Sequence, residues 1–325
     1  MIENNIDAQI EFVNTKAKEL IYEVEKVVVG QISFIEKLVI ILFTGGHALI
    51  EGVPGVAKTL TAKTLAKAID TDFKRIQFTP DLMPADIIGT KIYDVKSGEF
   101  YLKKGAVFTN IFLADEINRT PPKTQAALLE VMEEQSVSID GETNILDNPF
   151  MVLATQNPVE YEGTYQLPEA QLDRFIMKLI VGYIPQNIEN NLLSNFVSGN
   201  HSLKDQSNKT KAVLTPNDIT ICREYIKNVR VDNSIINYIT NIINLTRNSP
   251  SLMLGGSPRA SISLLSTART YAAIQGRSFV IPEDVKELAI PILRHRIILK
   301  PEVMIDGIST DNVITRIVNK VEVPR

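Results

Sequence analysis

Residues 46–59 read Gly-His-Ala-Leu-Ile-Glu-Gly-Val-Pro-Gly-Val-Ala-Lys-Thr, a short apolar stretch followed by a glycine-containing loop. From Gly52 to Thr59 this matches the phosphate-loop pattern G-x-x-x-x-G-K-[ST], except that Ala57 replaces the last glycine. Such a loop directs backbone N–H groups and the positive end of a helix at phosphate oxygens. We predict a phosphate site, with Lys58 on the β- and γ-phosphates and the Thr59 hydroxyl on Mg²⁺. The alternative is a glycine-proline turn before a surface helix, which a preceding strand and a following helix disfavour.

Short apolar strands and helices alternate on both sides of this loop. Strands are predicted at His47–Ile50, Arg75–Phe78, Asn110–Ala114, Met151–Ala154 and Phe175–Val181, and helices at Ile32–Phe43, Thr59–Ile69 and Lys123–Glu134. This alternation is typical of a parallel sheet with helices on both faces. The fold class predicted for the first part of the chain is therefore α/β, with a parallel five-stranded sheet.

Two predicted β-hairpins interrupt the alternation. Lys91 to Val95 and Glu99 to Lys103 flank a three-residue turn, and Val137 to Ile139 and Thr143 to Leu146 flank Asp140-Gly141. An Asp-Gly pair between alternating residues is a strong hairpin signal. We expect both hairpins to be inserts in the α/β fold.

The chain changes character after Ile184. The polar stretch from Ser198 to Lys211 is predicted to be a flexible connection. Helices are then predicted at Asp218–Val229, Ser234–Arg247, Arg259–Gln275 and Pro282–Ile290, with prolines placed where helices begin. This predicts an α/β domain over residues 1–184 and an all-helical domain with its connecting segment over residues 185–325.

The strand Ile111-Phe112-Leu113-Ala114 ends in two acidic residues, Asp115 and Glu116. Unpaired carboxylates inside a buried strand would be costly, whereas carboxylates at the carboxyl edge of the sheet can hold Mg²⁺ beside bound phosphates. We assign Asp115 to Mg²⁺ and Glu116 to the attacking water. A solvated acidic strand end is the alternative. Asn157, which follows the fourth strand, could contact the γ-phosphate or the water. Without the two motifs above, a turn residue before proline would be the preferred interpretation of that position.

Composition limits the remaining classes of function. The 325 residues carry a net charge of −4 and are 44% hydrophobic, which is ordinary for a soluble protein and disfavours a general nucleic-acid binder. The single cysteine, Cys222, can form neither an internal disulfide nor a cysteine zinc site and is expected to be buried. His47, His201 and His295 show no metal-ligand spacing. With no signal or membrane-spanning pattern in the sequence, a cytoplasmic location is expected.

Taken in order, these residues resemble the AAA+ ATPases, and more closely the MoxR family. The resemblance runs from Val28-Val29-Gly30-Gln31 to Leu293-Arg294-His295-Arg296, and Ala57 itself is similar to what loops of that family carry. The segments that carry it are 46–59, Asp115-Glu116-Ile117-Asn118-Arg119, Ala154-Thr155-Gln156-Asn157-Pro158, Leu172-Asp173-Arg174-Phe175 and Gly256-Ser257-Pro258-Arg259-Ala260.

The resemblance implies roles that spacing alone does not give. Asn157 matches the first sensor, Arg174 the arginine finger that reaches a neighbouring subunit's ATP, and Arg259 the second sensor in a helical lid. Arg119 would face a subunit interface. The resemblance leaves open whether Arg259 acts on its own subunit's nucleotide or on a neighbour's. The predicted nucleotide contacts are Val29, Gly30, Gln31, Gly52, Val53, Pro54, Gly55, Val56, Ala57, Lys58, Thr59 and Leu60, the first three lining the adenine pocket.

The function implied is ATP hydrolysis, with Mg²⁺, in a homo-oligomeric ring, with a hexamer as the family expectation. The ring would remodel or mature a partner complex, with metal insertion as one form of that work and a von Willebrand factor A domain protein as one kind of partner. The first hairpin would face the central pore. Two alternatives stay open: a nucleic-acid motor, for which Lys96, Lys103 and Lys104 would be offset by Asp94 and Glu99, and a nucleotide-gated scaffold without useful turnover, which Glu116 and Arg174 argue against.

Overall fold

A computed structural model describes residues 2–157, 164–197 and 210–324. The first two ranges hold a parallel sheet with helices on both faces and two hairpins. In chain order the elements are α1 (Ile2–Glu25), α2 (Ile32–Thr44), β1 (Ala48–Gly52), α3 (Lys58–Ala68), β2 (Phe73–Gln77), α4 (Pro84–Ile88), β3 (Gly89–Asp94), β4 (Glu99–Lys104), β5 (Ile111–Asp115), α5 (Pro122–Glu134), β6 (Ser136–Ile139), β7 (Glu142–Ile145), β8 (Met151–Gln156), α6 (Glu169–Leu172), β9 (Met177–Val181) and α7 (Gln186–Val197).

The last range is helical apart from one small two-stranded sheet. Its elements are α8 (Pro216–Ile226), α9 (Asn233–Arg247), β10 (Leu252–Leu254), α10 (Pro258–Ile274), α11 (Pro282–Leu293), β11 (Ile298–Leu299), α12 (Pro301–Ile305) and α13 (Thr310–Lys320). Prolines occupy the first turns of α8, α10 and α11, where a missing N–H has no cost. The hydroxyl of Ser257 caps α10 by accepting from the N–H of Ala260, so this helix begins at a defined residue.

The five-stranded sheet has the order β2-β5-β8-β1-β9, and all its pairs are parallel. Both faces are buried, since successive residues of one strand enter different hydrophobic clusters. In β5, Ile111 and Leu113 pack in the cluster with α1–α3 and the C-terminal helices, whereas Phe112 and Ala114 pack in the cluster with α5. All five strands begin and end within two residues of the predicted bounds, and the predicted α/β class is confirmed.

The first helix, α1, is an addition from the structure, because the sequence analysis places no element before Ile32. Its buried residues Ile10, Val13, Ala17 and Leu20 recur at helical spacing, so the signal was present. The α1 side chains pack on the C-terminal helices: the Phe12 ring meets Tyr225 edge-on at 5.8 Å between centroids. A single hydrophobic cluster thus joins residues on both sides of 184, and the domain division at that point stays a prediction.

Both hairpins are confirmed, as β3–β4 and β6–β7. The ion pair between Lys91 and Glu142, with 3.0 Å between Nζ and Oε1, connects them. The predicted connection at Ser198 to Lys211 lies almost entirely outside the described residues, as does His201. Among the helices of the described ranges, none combines the length and the apolar character that crossing a membrane would need.

Candidate nucleotide site and arginine cluster

The predicted phosphate loop follows β1 directly and ends where α3 begins, at Lys58. Two residues of the loop have left-handed backbone, Gly55 with φ +88° and Ala57 with φ +62°. Alanine rarely adopts this conformation, and such strain is usually retained where backbone N–H groups are aimed at a ligand. A Cβ added to Gly55 would meet no atom within 4 Å, so the space beside this residue of the loop is open. The loop therefore fits a phosphate group.

Lys58 lies between the loop and the acidic strand end. Its Nζ donates to the carbonyl oxygen of Gly52 at 2.5 Å. Partial burial lowers the pKa of Lys58, while the negative charges of Asp115 and Glu116 act in the opposite direction. Because β1 and β5 are parallel and flank β8, Lys58 after β1 lies at the same edge of the sheet as both carboxylates. The structure thus brings together the two motifs on which the nucleotide prediction depends.

Asp115 is the last residue of β5 and lies at the carboxyl edge of the sheet. Its Oδ1 accepts from the Thr155 hydroxyl at 2.5 Å, and its Oδ2 accepts from Arg75 Nε at 3.0 Å and Nη2 at 2.7 Å. A carboxylate has about four lone-pair directions, so these three hydrogen bonds leave room for a Mg²⁺ contact. Mg²⁺ typically takes one or two protein ligands and completes its shell with phosphate oxygens and water, which fits Asp115 and Thr59.

Glu116 has left-handed backbone as well, with φ +57°, so its side chain leaves the strand direction. Its Oε2 accepts from Gln77 Nε2 at 2.5 Å and from Arg119 Nη1 at 3.0 Å. The backbone N–H of Glu116 donates to Thr155 Oγ1 at 2.9 Å. One threonine hydroxyl on the neighbouring strand therefore fixes both acidic residues.

An apolar cavity of about 360 Å³ adjoins the phosphate loop, in the size range of small-molecule sites. Its lining joins the segment before α2, the loop and α3 with the segment after β9. Of the predicted contacts, Val29, Gln31, Pro54, Gly55, Val56, Ala57 and Leu60 line it, together with Val27, Val28, Tyr183, Ile184, Glu189 and Leu192. The Gln31 amide donates to the carbonyl oxygen of Gly182 at 3.1 Å, which links the two walls. A flat apolar base fits this cavity next to the phosphates.

Asn157 follows β8 and is 7% exposed. It lines a second cavity together with Glu51, whose carboxylate pairs with Lys178 at 2.5 Å between Oε2 and Nζ. Because β8 lies between β1 and β5, Asn157 comes from the strand between the loop and the acidic pair. This place is compatible with a sensor of the γ-phosphate, and the role itself stays a prediction.

Arg174, the predicted arginine finger, and Arg259, the predicted second sensor, lie together and away from the phosphate loop. Arg174 Nη1 pairs with Glu133 Oε2 at 2.8 Å, and Arg259 Nη2 pairs with Glu133 Oε1 at 2.7 Å. Arg174 Nη1 also donates to the carbonyl oxygen of Leu129 at 2.5 Å. We call Glu133, Arg174 and Arg259 the arginine cluster.

The arginine cluster adjoins the amino end of β1. The cavity that it lines includes Gly45, Gly46 and His47, which precede β1, whereas the phosphate loop follows β1. Five residues of strand span about 16 Å. Arg174 and Arg259 are therefore too distant to reach a triphosphate bound at Lys58 of the same chain.

A buried arginine, Arg296, holds the segment around Arg174 against the C-terminal helices. The Arg296 side chain is 2% exposed, and its Nε donates to Asp173 Oδ1 at 2.6 Å. Its Nη2 donates to the carbonyl oxygen of Phe175 at 2.9 Å and to Ser263 Oγ at 3.1 Å. Asp173 Oδ2 also accepts from Ser257 Oγ at 3.0 Å. The residues on either side of Arg174 are thus held to α10 and to the end of α11.

Comparison with known proteins agrees with this arrangement. A model of the ATPase family associated with various cellular activities matches residues 47–177, and a model of the AAA lid domain matches residues 244–317. Chaperone MoxR1 of Mycobacterium tuberculosis is 42% identical over 94% of this chain and 81% of its own. The chain belongs to the MoxR family of AAA+ ATPases.

Two further proteins are similar to this MoxR-family chain over nearly its whole length. The uncharacterised protein YeaC of Bacillus subtilis is 47% identical over 93% of this chain and 92% of its own. A crystal structure from Cytophaga hutchinsonii, assigned as a candidate ATPase, superposes with a TM-score of 0.91 at 45% identity and covers 100% of both chains. The predicted AAA+ core, sheet, hairpins and helical lid are confirmed by these matches and by the fold.

Several contacts of the MoxR-family site escaped the sequence analysis. Arg75 on Asp115, Thr155 on both acidic residues, and Glu133 in the arginine cluster are long-range contacts with no local pattern. Asp173 and Arg296 carried a signal, since both lie in segments that gave the family resemblance, but no role was assigned to either. The expectation for Cys222 is confirmed, because it is buried in α8 and burial raises the pKa of its thiol to about 12.

Proposed function

We propose that this chain binds ATP with Mg²⁺ and hydrolyses it in a ring of identical subunits, in order to remodel a partner protein. The observation that carries this proposal is the separation of Lys58 and Glu116 from Arg174 and Arg259, at opposite ends of one sheet. Each chain would carry the nucleotide-binding half of one hydrolytic site at the carboxyl end of its sheet. At the amino end it would carry the arginines of a second site, whose nucleotide is bound by a neighbour. Two neighbouring copies in head-to-tail contact would complete a site, and repetition of this contact closes a ring.

At the carboxyl end, the loop N–H groups and Lys58 would bind the phosphates, and the apolar cavity would hold the base. Thr59 and Asp115 would hold Mg²⁺, which would neutralise charge on the phosphate oxygens. Glu116 would orient the attacking water and accept its proton on the carboxylate, while Asn157 would contact the γ-phosphate or that water. Gln77 and Arg119 both donate to Oε2 of Glu116, so the carboxylate would not have to reorient during the reaction.

At the amino end, Arg174 and Arg259 would stabilise negative charge on the phosphoryl group bound by the neighbouring subunit. The shared contact with Glu133 supports the same assignment for both arginines, so Arg259 would act between subunits rather than within its own. A hexamer is the family expectation for the resulting ring. Assembly would then control hydrolysis, because an isolated chain has Lys58 at its own phosphates but neither Arg174 nor Arg259.

Mixed rings test this division. Glu116→Gln removes hydrolysis at a subunit's own site but keeps its arginines, and Arg174→Ala removes a finger but keeps the site. Each variant alone should hydrolyse ATP at least about 100-fold more slowly than the unchanged chain, whereas a mixture should regain activity at interfaces that join an intact site to an intact finger.

The matched control is a mixture of Glu116→Gln with Lys58→Ala. In that mixture no subunit has a working site, so no activity should return. Light scattering shows whether rings are present, and capture of an untagged variant through an affinity-tagged one shows whether the two variants share rings. Absence of recovery in the first mixture, with rings intact, would show that the arginines do not act between subunits.

The partner is proposed to be a protein client, with a von Willebrand factor A domain protein as one form and metal insertion as one outcome. A nucleic-acid motor remains the second candidate because of the β3–β4 hairpin. The rings of Tyr93 and Phe100 lie 5.1 Å apart and are 51% and 69% exposed, which suits base stacking, and Lys96 is in the turn. Salt-dependent stimulation of ATP hydrolysis by single-stranded DNA would favour the motor, and stimulation only by protein would favour the remodelling function.

A further inference from the structure

A single carboxylate holds both arginines of the arginine cluster. Glu133 Oε2 pairs with Arg174 Nη1 at 2.8 Å, and Glu133 Oε1 pairs with Arg259 Nη2 at 2.7 Å. Arg174 precedes β9 and Arg259 lies in the first turn of α10, so chain connectivity does not bring them together. Because each oxygen takes one guanidinium, the two cations are held side by side at a fixed spacing.

Stability does not explain why these three charges occupy their positions. Glu133 lies in the last turn of α5, where a negative charge opposes the helix dipole, and Arg259 lies at the start of α10, where a positive charge does so. The side chains of Glu133 and Arg259 are 39% and 46% exposed, and ion pairs with such exposure contribute little to folding. The arrangement is unfavourable for both helices, which points to a role outside the fold.

We propose that Glu133 is a positioning residue that holds Arg174 and Arg259 as a preformed pair for the triphosphate of the neighbouring subunit. This inference rests on the function proposed above. Without an anion between them, two guanidinium groups repel each other and adopt many orientations. A carboxylate between them keeps both in place before docking, and the more negative triphosphate can then take over their hydrogen bonds. Groups already oriented in this way stabilise the transition state with less reorganisation.

Glu133→Gln tests this role, since it keeps the size of the side chain and removes its charge. We expect kcat for ATP hydrolysis to fall about 10- to 100-fold. The KM for ATP and the affinity for nucleotide should stay unchanged, because the subunit's own phosphate loop is untouched. The matched control is Glu134→Gln, one residue further along the same helix. The Glu134 side chain is exposed and forms no ion pair with any of the described residues. This control should leave kcat unchanged.

Rings that contain two different variants distinguish a positioning role of Glu133 from damage to the fold of the Glu133→Gln subunit. In rings that combine Glu133→Gln with Glu116→Gln, an intact site on the first variant meets an intact arginine cluster on the second. Positioning predicts that activity returns above the sum of the two variants, whereas a misfolded Glu133→Gln subunit would not recover.

The outcomes distinguish this proposal from the function on which it rests. If Arg174→Ala recovers with Glu116→Gln but Glu133→Gln does not, the role of Glu133 is wrong and the shared site stands. If neither mixture recovers, the shared site is wrong as well. An unchanged or increased kcat for Glu133→Gln would overturn the positioning role directly.

Discussion

The two ends of the central sheet differ in how their charged groups are held. At the carboxyl end, short connections place Lys58, Asp115 and Glu116, each within a few residues of a strand that ends there. At the amino end, Arg174 and Arg259 come from distant parts of the chain and are joined by Glu133. The first end contains the proposed nucleotide site, and the second contains two arginines that are distant from that site in the same chain. This difference supports the proposal that one end binds nucleotide and the other acts on a neighbouring subunit.

The largest effect should follow from Lys58→Ala. Removing the ammonium deletes charge-assisted hydrogen bonds to the phosphates, and we expect ATP affinity to fall by about 100- to 1,000-fold, below detection in a calorimetric titration. The arginine cluster should be unaffected, so this variant should still supply arginines to a neighbour. Lys63→Ala, an exposed lysine on the same helix, is the control and should bind ATP normally. Unchanged affinity in Lys58→Ala would refute the assignment of the loop.

Glu116→Gln should separate binding from hydrolysis at the same end. The amide cannot accept the proton of the attacking water, so kcat should fall about 100-fold or more while ATP affinity and ring size are retained. Steady-state phosphate release and nucleotide binding, measured on the same sample, test this. Near-normal turnover would remove Glu116 from its assigned role. Glu130→Gln, at an exposed position on α5, should leave turnover unchanged.

The contrast between the two ends also explains what the sequence could and could not predict. The loop at Lys58 and the acids at 115 and 116 were predictable because strand, loop and helix follow each other within a few residues. Parallel strands then bring their carboxyl ends to one edge. The Glu133 contact and the Asp173–Arg296 pair join residues that are far apart in sequence, and no periodicity encodes such pairs. The family resemblance marked Arg174, Arg259 and the segment ending at Arg296, but it did not show which carboxylates hold them.

Arg296→Ala should destabilise the structure at the amino end of the sheet without removing any group assigned to nucleotide binding. Removing one partner of a largely buried ion pair leaves Asp173 with unmet hydrogen bonds, and we expect a loss of about 3–5 kcal/mol in the free energy of unfolding, measured with urea. Lys227→Ala is the contrast, because its ion pair with Glu224 is 67% and 62% exposed and should contribute less than about 1 kcal/mol. If the two variants lost equal free energy of unfolding, Arg296 would not hold the segment around Arg174 to the C-terminal helices.

The smallest effect concerns pH and acts through His47, which fastens the amino end of β1 to its surroundings. The backbone N–H of Val152 donates to Nδ1 at 3.0 Å, so the neutral ring carries its proton on Nε2 and donates it to the carbonyl oxygen of Met132 at 3.0 Å. Burial is the main cause that lowers the pKa of His47 to about 4 from 6.5, and the charge of Arg223 adds to it. Protonation of Nδ1 would direct a second hydrogen at the Val152 N–H, which the folded structure opposes.

Because this pKa is lower in the folded chain, the unfolded chain binds more protons at His47 between pH 6.5 and 4. Stability should therefore fall as the pH falls through that window, by about 3 kcal/mol from this group, and should not depend on His47 above it. His47→Asn keeps an acceptor for the Val152 N–H but cannot be protonated, so its stability should decline less steeply between pH 6.5 and 4 than that of the unchanged chain. Parallel unfolding curves over that range would mean that His47 is not the group responsible.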